Sequence, residues 1–124
     1  MKFRSLIFLS LYFPFLVQAA PYAYPFNAMT GEQVLGKLLK EPSAEIDYIE
    51  RDMAHHYVNG VKDATQGTAW CFVGAVLPHE LNIELAFAIK STRTSGELKG
   101  NAAPLLLDEL RKRYPCKSTR GGKS

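Results

Sequence analysis

Two cysteines in a chain that opens with an export signal constrain this fold more than any other feature of its sequence. Lys2 and Arg4 form a positive leader, and residues 6–17 are apolar apart from Ser10 and Pro14. Val17-Gln18-Ala19 then places small residues where a signal peptidase reads them, so cleavage is expected after Ala19. An apolar run of about a dozen residues falls short of the roughly twenty that span a bilayer, which argues against a membrane anchor. Both Cys71 and Cys116 lie in the exported remainder. An even cysteine count in an oxidising compartment predicts a Cys71–Cys116 disulfide. Closing a loop of about 46 residues would stabilise a small domain by about 4 kcal/mol in the chain-entropy model. The competing reading is a thiol hydrolase built from Cys71, His79 and Asp63. It has the residue types but no local nucleophile signature, and a disulfide would consume the thiol.

The exported part, about 105 residues, suits one compact domain and is too short for two. With 47% hydrophobic and 22% charged residues, the composition excludes a disordered, collagen-like or disulfide-dense chain. Residues 20–28 are proline- and aromatic-rich without periodicity and read as an extended arm. Thr30 and Gln33 then form a T-x-x-Q capping box, with Met29 and Val34 placed as a hydrophobic staple. Val34, Leu35, Leu38 and Leu39 supply the inner face of a first helix, which Pro42 ends. The second helix is expected over residues 43–67. Its inner stripe is read as Ile46, Ile49, Met53, Tyr57, Gly60/Val61 and Ala64, with Glu45, Glu50, Arg51, Lys62 and Asp63 off it. Gly60 on that stripe suggests the close approach of another helix, since glycine inside a helix costs about 1 kcal/mol relative to alanine.

Residues 66–77 read as a loop carrying Cys71 and the only tryptophan. Pro78 suits the first turn of a third helix with Leu81, Leu85, Ala88 and Ile89 inward. Residues 91–101 are polar and glycine-containing and read as an exposed loop. Asn101 can cap a fourth helix with Pro104 in its first turn and Leu105, Leu106, Leu110 and Tyr114 on its buried side. Pro115 stops that helix just before Cys116, and residues 117–124 form a basic, glycine-rich tail. The expected fold is all-α: a small four-helix domain over residues 29–116 with one disulfide.

Little in this chain points to catalysis. His55 and His56 are adjacent and project about 100° apart on a helix, so they cannot readily chelate one metal together. Asp52 and His56 could supply two ligands, but no third follows at a familiar spacing. Arg111, Lys112 and Arg113 are explained by the favourable placement of cations at a helix C-terminus, and no nucleic-acid motif accompanies them. No phosphate loop or G-x-S-x-G is present. No cofactor, metal or catalytic residue is expected. The formal charge of +3 is also uninformative about partners. Without Lys2 and Arg4 it falls to +1, and without Lys117, Arg120 and Lys123 the domain carries −2, ten basic residues against twelve acidic.

The segment Tyr57-Val58-Asn59-Gly60-Val61-Lys62-Asp63-Ala64, Cys71, a helix opened by Pro78 and Leu81, and Leu110 with Tyr114-Pro115-Cys116 together resemble the Rap/Tai immunity family. Met29-Thr30-Gly31-Glu32-Gln33 with Leu38-Leu39 is similar to that family's opening helix. The resemblance covers roughly residues 29–116. It implies an exported, periplasmic α-helical protein that binds and inhibits a peptidoglycan amidase effector delivered by type VI secretion. It also points to a homodimer, for which the sequence itself shows no exposed stripe. Three features differ from the family pattern, one being that Phe72-Val73 follows Cys71 where members commonly carry a proline. Leu39 and Ala54 stand where members often carry a further cysteine pair, and residues 92–100 match no usual motif. That variable loop is therefore the expected partner-reading surface, with Arg93, Glu97 and Lys99 as its contact residues and the 67–77 segment as a second contact. The competing function is a small periplasmic acid-stress chaperone, which can share a helical single-disulfide build.

Overall fold

The computed structural model describes residues 28–72 and 74–117. The expected signal segment, all of the expected arm except Ala28 and all of the expected tail except Lys117 lie outside the described residues. The fold is all-α. Helices α1 (Gly31–Leu39), α2 (Glu45–Thr65), α3 (Pro78–Thr92), α4 (Ser95–Leu98) and α5 (Ala102–Arg113) follow one another, and no strand is present among the described residues.

Local chemistry sets most helix starts. The Thr30 hydroxyl accepts from the Gln33 amide at 3.2 Å while the Thr30 amide donates to Gln33 Oε1 at 2.9 Å, completing the capping box of α1. Asn101 Oδ1 caps α5 by accepting from the Ala103 amide at 2.9 Å. Pro78 opens α3, where its missing N–H costs nothing. At α2 the cap is the Asp47 carboxylate, which accepts from the Ser43 and Ala44 amides at 2.9 and 3.1 Å and from the Ser43 hydroxyl at 3.1 Å. Lys40 Nζ also donates to it, tying the end of α1 to the start of α2.

The four-helix expectation becomes five helices because residues 91–101 are not a simple loop. Helix α3 runs on to Thr92, and Thr94 with Glu97 forms a second capping box that nucleates α4. The connection is then stitched to the opposite end of the chain. Gly31 N donates to Gly100 O at 3.1 Å, and Ala102 N donates to Met29 O at 2.9 Å. This approach needs glycine at position 31. A Cβ there would lie 2.9 Å from Leu105 Cδ1 and 3.0 Å from Leu98 O.

The core is made by leucines of α1, α3 and α5, with Leu38, Leu85, Leu106 and Leu110 completely buried. Each contributes roughly 1.5–3 kcal/mol by leaving water. Helix α2 meets this core with a different face from the one its apolar pattern predicts. Ala54 and Val58 are fully buried, whereas Ile46, Ile49 and Met53 are 59%, 49% and 56% exposed. Two stripes about 100° apart both carry apolar residues along this helix. The one with small Ala54 faces inward because α1, α3 and α5 pack closely there. Lys62, expected outside, is buried on that inner face, and Gly60 has no atom near its missing Cβ, so no helix approaches it.

Cys71 and Cys116 form the expected disulfide. It joins the connection after α2 to the end of α5. Gly67 adopts φ +81 just beyond α2, the left-handed conformation that suits glycine and turns the chain toward Trp70. Trp70 is 3% exposed and donates from Nε1 to Thr65 Oγ1 at 3.0 Å. Its ring and that of Phe72 pack on Tyr114, with centroids 6.1 and 5.6 Å apart.

Candidate functional site

The connection between α3 and α5 holds the three residues expected to read a partner. Arg93 and Glu97 are brought together by the single turn of α4, with Arg93 Nη1 3.5 Å from Glu97 Oε1. Arg93 also reaches across to α5, where Nη2 lies 3.6 Å from Asp108 Oδ2. Its Nε is buried and has no partner among the described residues. Glu97 accepts from the Thr94 amide and hydroxyl at 2.8 and 2.9 Å, and these bonds hold its carboxyl below the usual range. Lys99 is exposed at the C-cap of α4 and joins neither pair. The loop is thus a rigid one-turn knob whose charges are already organised, which lowers the ordering cost of presenting it to a partner.

The described part of the second expected contact, residues 67–72 and 74–77, sits at the far end of α3. A helix of 15 residues separates the two segments by about 20 Å. They belong to different regions of the surface.

An apolar face on α2 went unrecognised as surface in the sequence. Ile46, Ile49 and Met53 project from one side of the helix and are all about half exposed. The face continues past Met53 and His56 into a groove of about 880 Å³ between α2 and α5, where Gly60 and Ala64 leave room beside Pro104 and Leu107. Tyr57 bridges the groove by donating to Asn101 Oδ1 at 3.1 Å. A contiguous exposed apolar patch of this kind marks a protein-binding surface. The signal was present in the sequence as the Ile46-Ile49-Met53 spacing, but spacing alone assigned it to the core.

Among the remaining candidates for chemistry, Cys71 and His55 are engaged in the fold. Cys71 is oxidised, which removes the nucleophile from the thiol-hydrolase reading. His55 faces Asn82, with Nδ1 3.0 Å from Asn82 Nδ2, and burial lowers its pKa. Asn82 Nδ2 also donates to Asn59 Oδ1 at 3.0 Å, so these three side chains form a polar link between α2 and α3. His56 and Asp52 are exposed, and no cluster of three or more metal-ligating side chains occurs among the described residues.

The family model for Rap1a immunity proteins matches residues 30–116. That span begins at the α1 cap and ends at the second cysteine of the disulfide. No curated protein sequence matches this chain. The family model covers well over half of the sequence, and it takes in all five helices and the bridge that staples them. The chain belongs to the Rap1a immunity protein family.

Proposed function

We propose that this chain is a periplasmic immunity protein that binds and inhibits a peptidoglycan amidase effector delivered by type VI secretion, protecting the cell that makes it. The observation that carries the reading is the match to Rap1a immunity proteins along the whole helical domain. Export is supported by the leader ending at Ala19 and by the Cys71–Cys116 bridge, since disulfides persist in oxidising compartments. The protein acts by occupation of its target and not by catalysis. Its rigid scaffold presents the α4 knob, with Arg93, Glu97 and Lys99, to a polar cleft in the effector. The α2 face around Ile49 and Met53 pairs with a second copy, which gives the exposed apolar side chains a dry environment.

The test is rescue. The neighbouring open reading frames are searched for a secreted Cys/His peptidase, and its product is directed to the periplasm with and without this protein. Survival of the co-producing cells and co-purification of the two proteins are expected. Lysis in both cases, with no complex recovered, overturns the proposal.

A further inference from the structure

Lys62 is the least expected side chain in the structure. It is 6% exposed, yet none of the ion pairs among the described residues includes it. This is not a matter of a partner lying elsewhere, because all twelve aspartates and glutamates of the chain are among the described residues. Its Nζ donates to the Pro78 carbonyl at 3.0 Å. An ammonium has three N–H donors, and that bond is the only one the Lys62 ammonium makes among the described residues. Buried charges are normally paired, and burial here depresses the lysine's pKa.

The ammonium borders a pocket of about 320 Å³ between the end of α2, the 66–77 connection and the start of α3. This volume lies near the lower end of the roughly 300–1,000 Å³ range of small-molecule sites. Trp70, Phe72, Val76 and Leu81 supply apolar walls. Asn59 also lines it; its Oδ1 is taken by Asn82, and its Nδ2 donates to no group among the described residues. Asp63 stands exposed at the same pocket and partly offsets the depression of the lysine's pKa without forming an ion pair with Lys62.

One cation, the carboxamides of Asn59 and Gln66 and hydrocarbon walls select a singly charged anion with an apolar body. A phosphate dianion would leave its second charge uncompensated and close to Asp63. We propose that this pocket binds a monocarboxylate, with the carboxylate on Lys62 Nζ and Asn59 Nδ2 and the hydrocarbon against Trp70, Phe72, Val76 and Leu81. The same chemistry is offered by a free branched-chain acid and by the C-terminus of a peptide. The site is distinct from the α4 knob and the Ile49–Met53 face, and it stands independently of any effector.

Trp70 is the chain's only tryptophan and lies in the pocket, so its emission reports occupancy directly. The disulfide-bonded protein is titrated with 4-methylpentanoate for the free acid and with N-acetyl-leucine for the peptide terminus. N-acetyl-leucinamide controls for charge and inorganic phosphate for a generic anion. At least one acid is expected to give a saturable emission change and a matching rise in Tm, because a ligand that binds only the folded state stabilises it. The neutral amide and phosphate are expected to bind at least about tenfold more weakly, the loss of one charge-assisted contact. Lys62→Met removes the cation while keeping the apolar stem, and is expected to abolish saturation with the circular dichroism unchanged. Lys62→Arg is expected to retain part of the binding. Saturation by N-acetyl-leucine alone assigns the site to peptide termini, and saturation by 4-methylpentanoate alone assigns it to free acids. No saturation by either acid overturns the proposal, as does equal binding of the amide or undiminished binding by Lys62→Met.

Discussion

The amide of Cys71 donates to the carbonyl of Tyr114 at 2.8 Å, two residues before the cysteine to which Cys71 is bonded. The covalent bridge therefore reinforces a junction that a hydrogen bond and the Trp70–Tyr114–Phe72 ring cluster already make. Replacing both cysteines by alanine is expected to cost about 4 kcal/mol, chiefly through the freed unfolded chain, without changing the native arrangement. Urea melts of the wild type and the double variant measure this. A variant with native helical circular dichroism and a lower midpoint is expected, and a disordered variant at 25 °C would show that the ring cluster cannot hold the junction.

Two helix glycines should respond to alanine with opposite signs. At Gly31 the new methyl would meet Leu105 and the Leu98 backbone at 2.9–3.1 Å, and a loss of about 1–3 kcal/mol is expected. At Gly60 nothing lies within 4 Å, so Gly60→Ala is expected to stabilise α2 by roughly 0.5–1 kcal/mol. Thermal or urea denaturation of the two variants checks the pair. A destabilised Gly60→Ala would mean that the groove beside it is occupied in solution.

The two proposed contact surfaces can be separated. Ile49→Asp with Met53→Asp changes exposed positions only, so stability should shift by less than about 1 kcal/mol. Light scattering is expected to report a monomer for this variant and a dimer for the wild type. Joint replacement of Arg93, Glu97 and Lys99 by alanine should leave the oligomeric state alone. It should weaken effector binding by about 2 kcal/mol or more, a roughly thirty-fold rise in Kd. Inhibition undiminished by the triple variant would remove the α4 knob from the interface.

Asp47 makes the start of α2 sensitive to acid. The hydrogen bond from Lys40, followed by those from the Ser43 backbone and hydroxyl and the Ala44 backbone, holds its carboxyl well below its ordinary value of 3.8. The folded state therefore binds this proton more weakly than the unfolded chain does. The stabilisation is fully present above about pH 4–5 and is lost as pH falls through 3.8 toward the depressed folded value. Asp47→Asn is expected to lower stability at neutral pH and to flatten the pH dependence below 4. Parallel slopes for the two proteins in acid would show that other carboxylates dominate.

Four of the five helices, and the starts of α1, α3 and α5, were legible in local residue chemistry. Thr30 with Gln33 and Asn101 act within one turn through hydrogen bonds to nearby backbone, and Pro78 through its preset φ and missing N–H, so their effect is readable from residues a few positions apart. The second capping box, Thr94 with Glu97, was equally local, but it lay in a polar stretch without the apolar spacing that marks a longer helix. The cysteine pairing was legible too, because only two cysteines were available. Tertiary structure alone decided which side of α2 faces inward. Ile46, Ile49 and Met53 and the Ala54–Val58 stripe both satisfy helical periodicity, and they differ by about 100° of rotation. The choice depends on side-chain volume against α1, α3 and α5, where Ala54 allows close packing and the larger residues do not. That one rotation turned an expected core stripe into an exposed face, opened the space beside Gly60, and buried Lys62 against the pocket below Trp70.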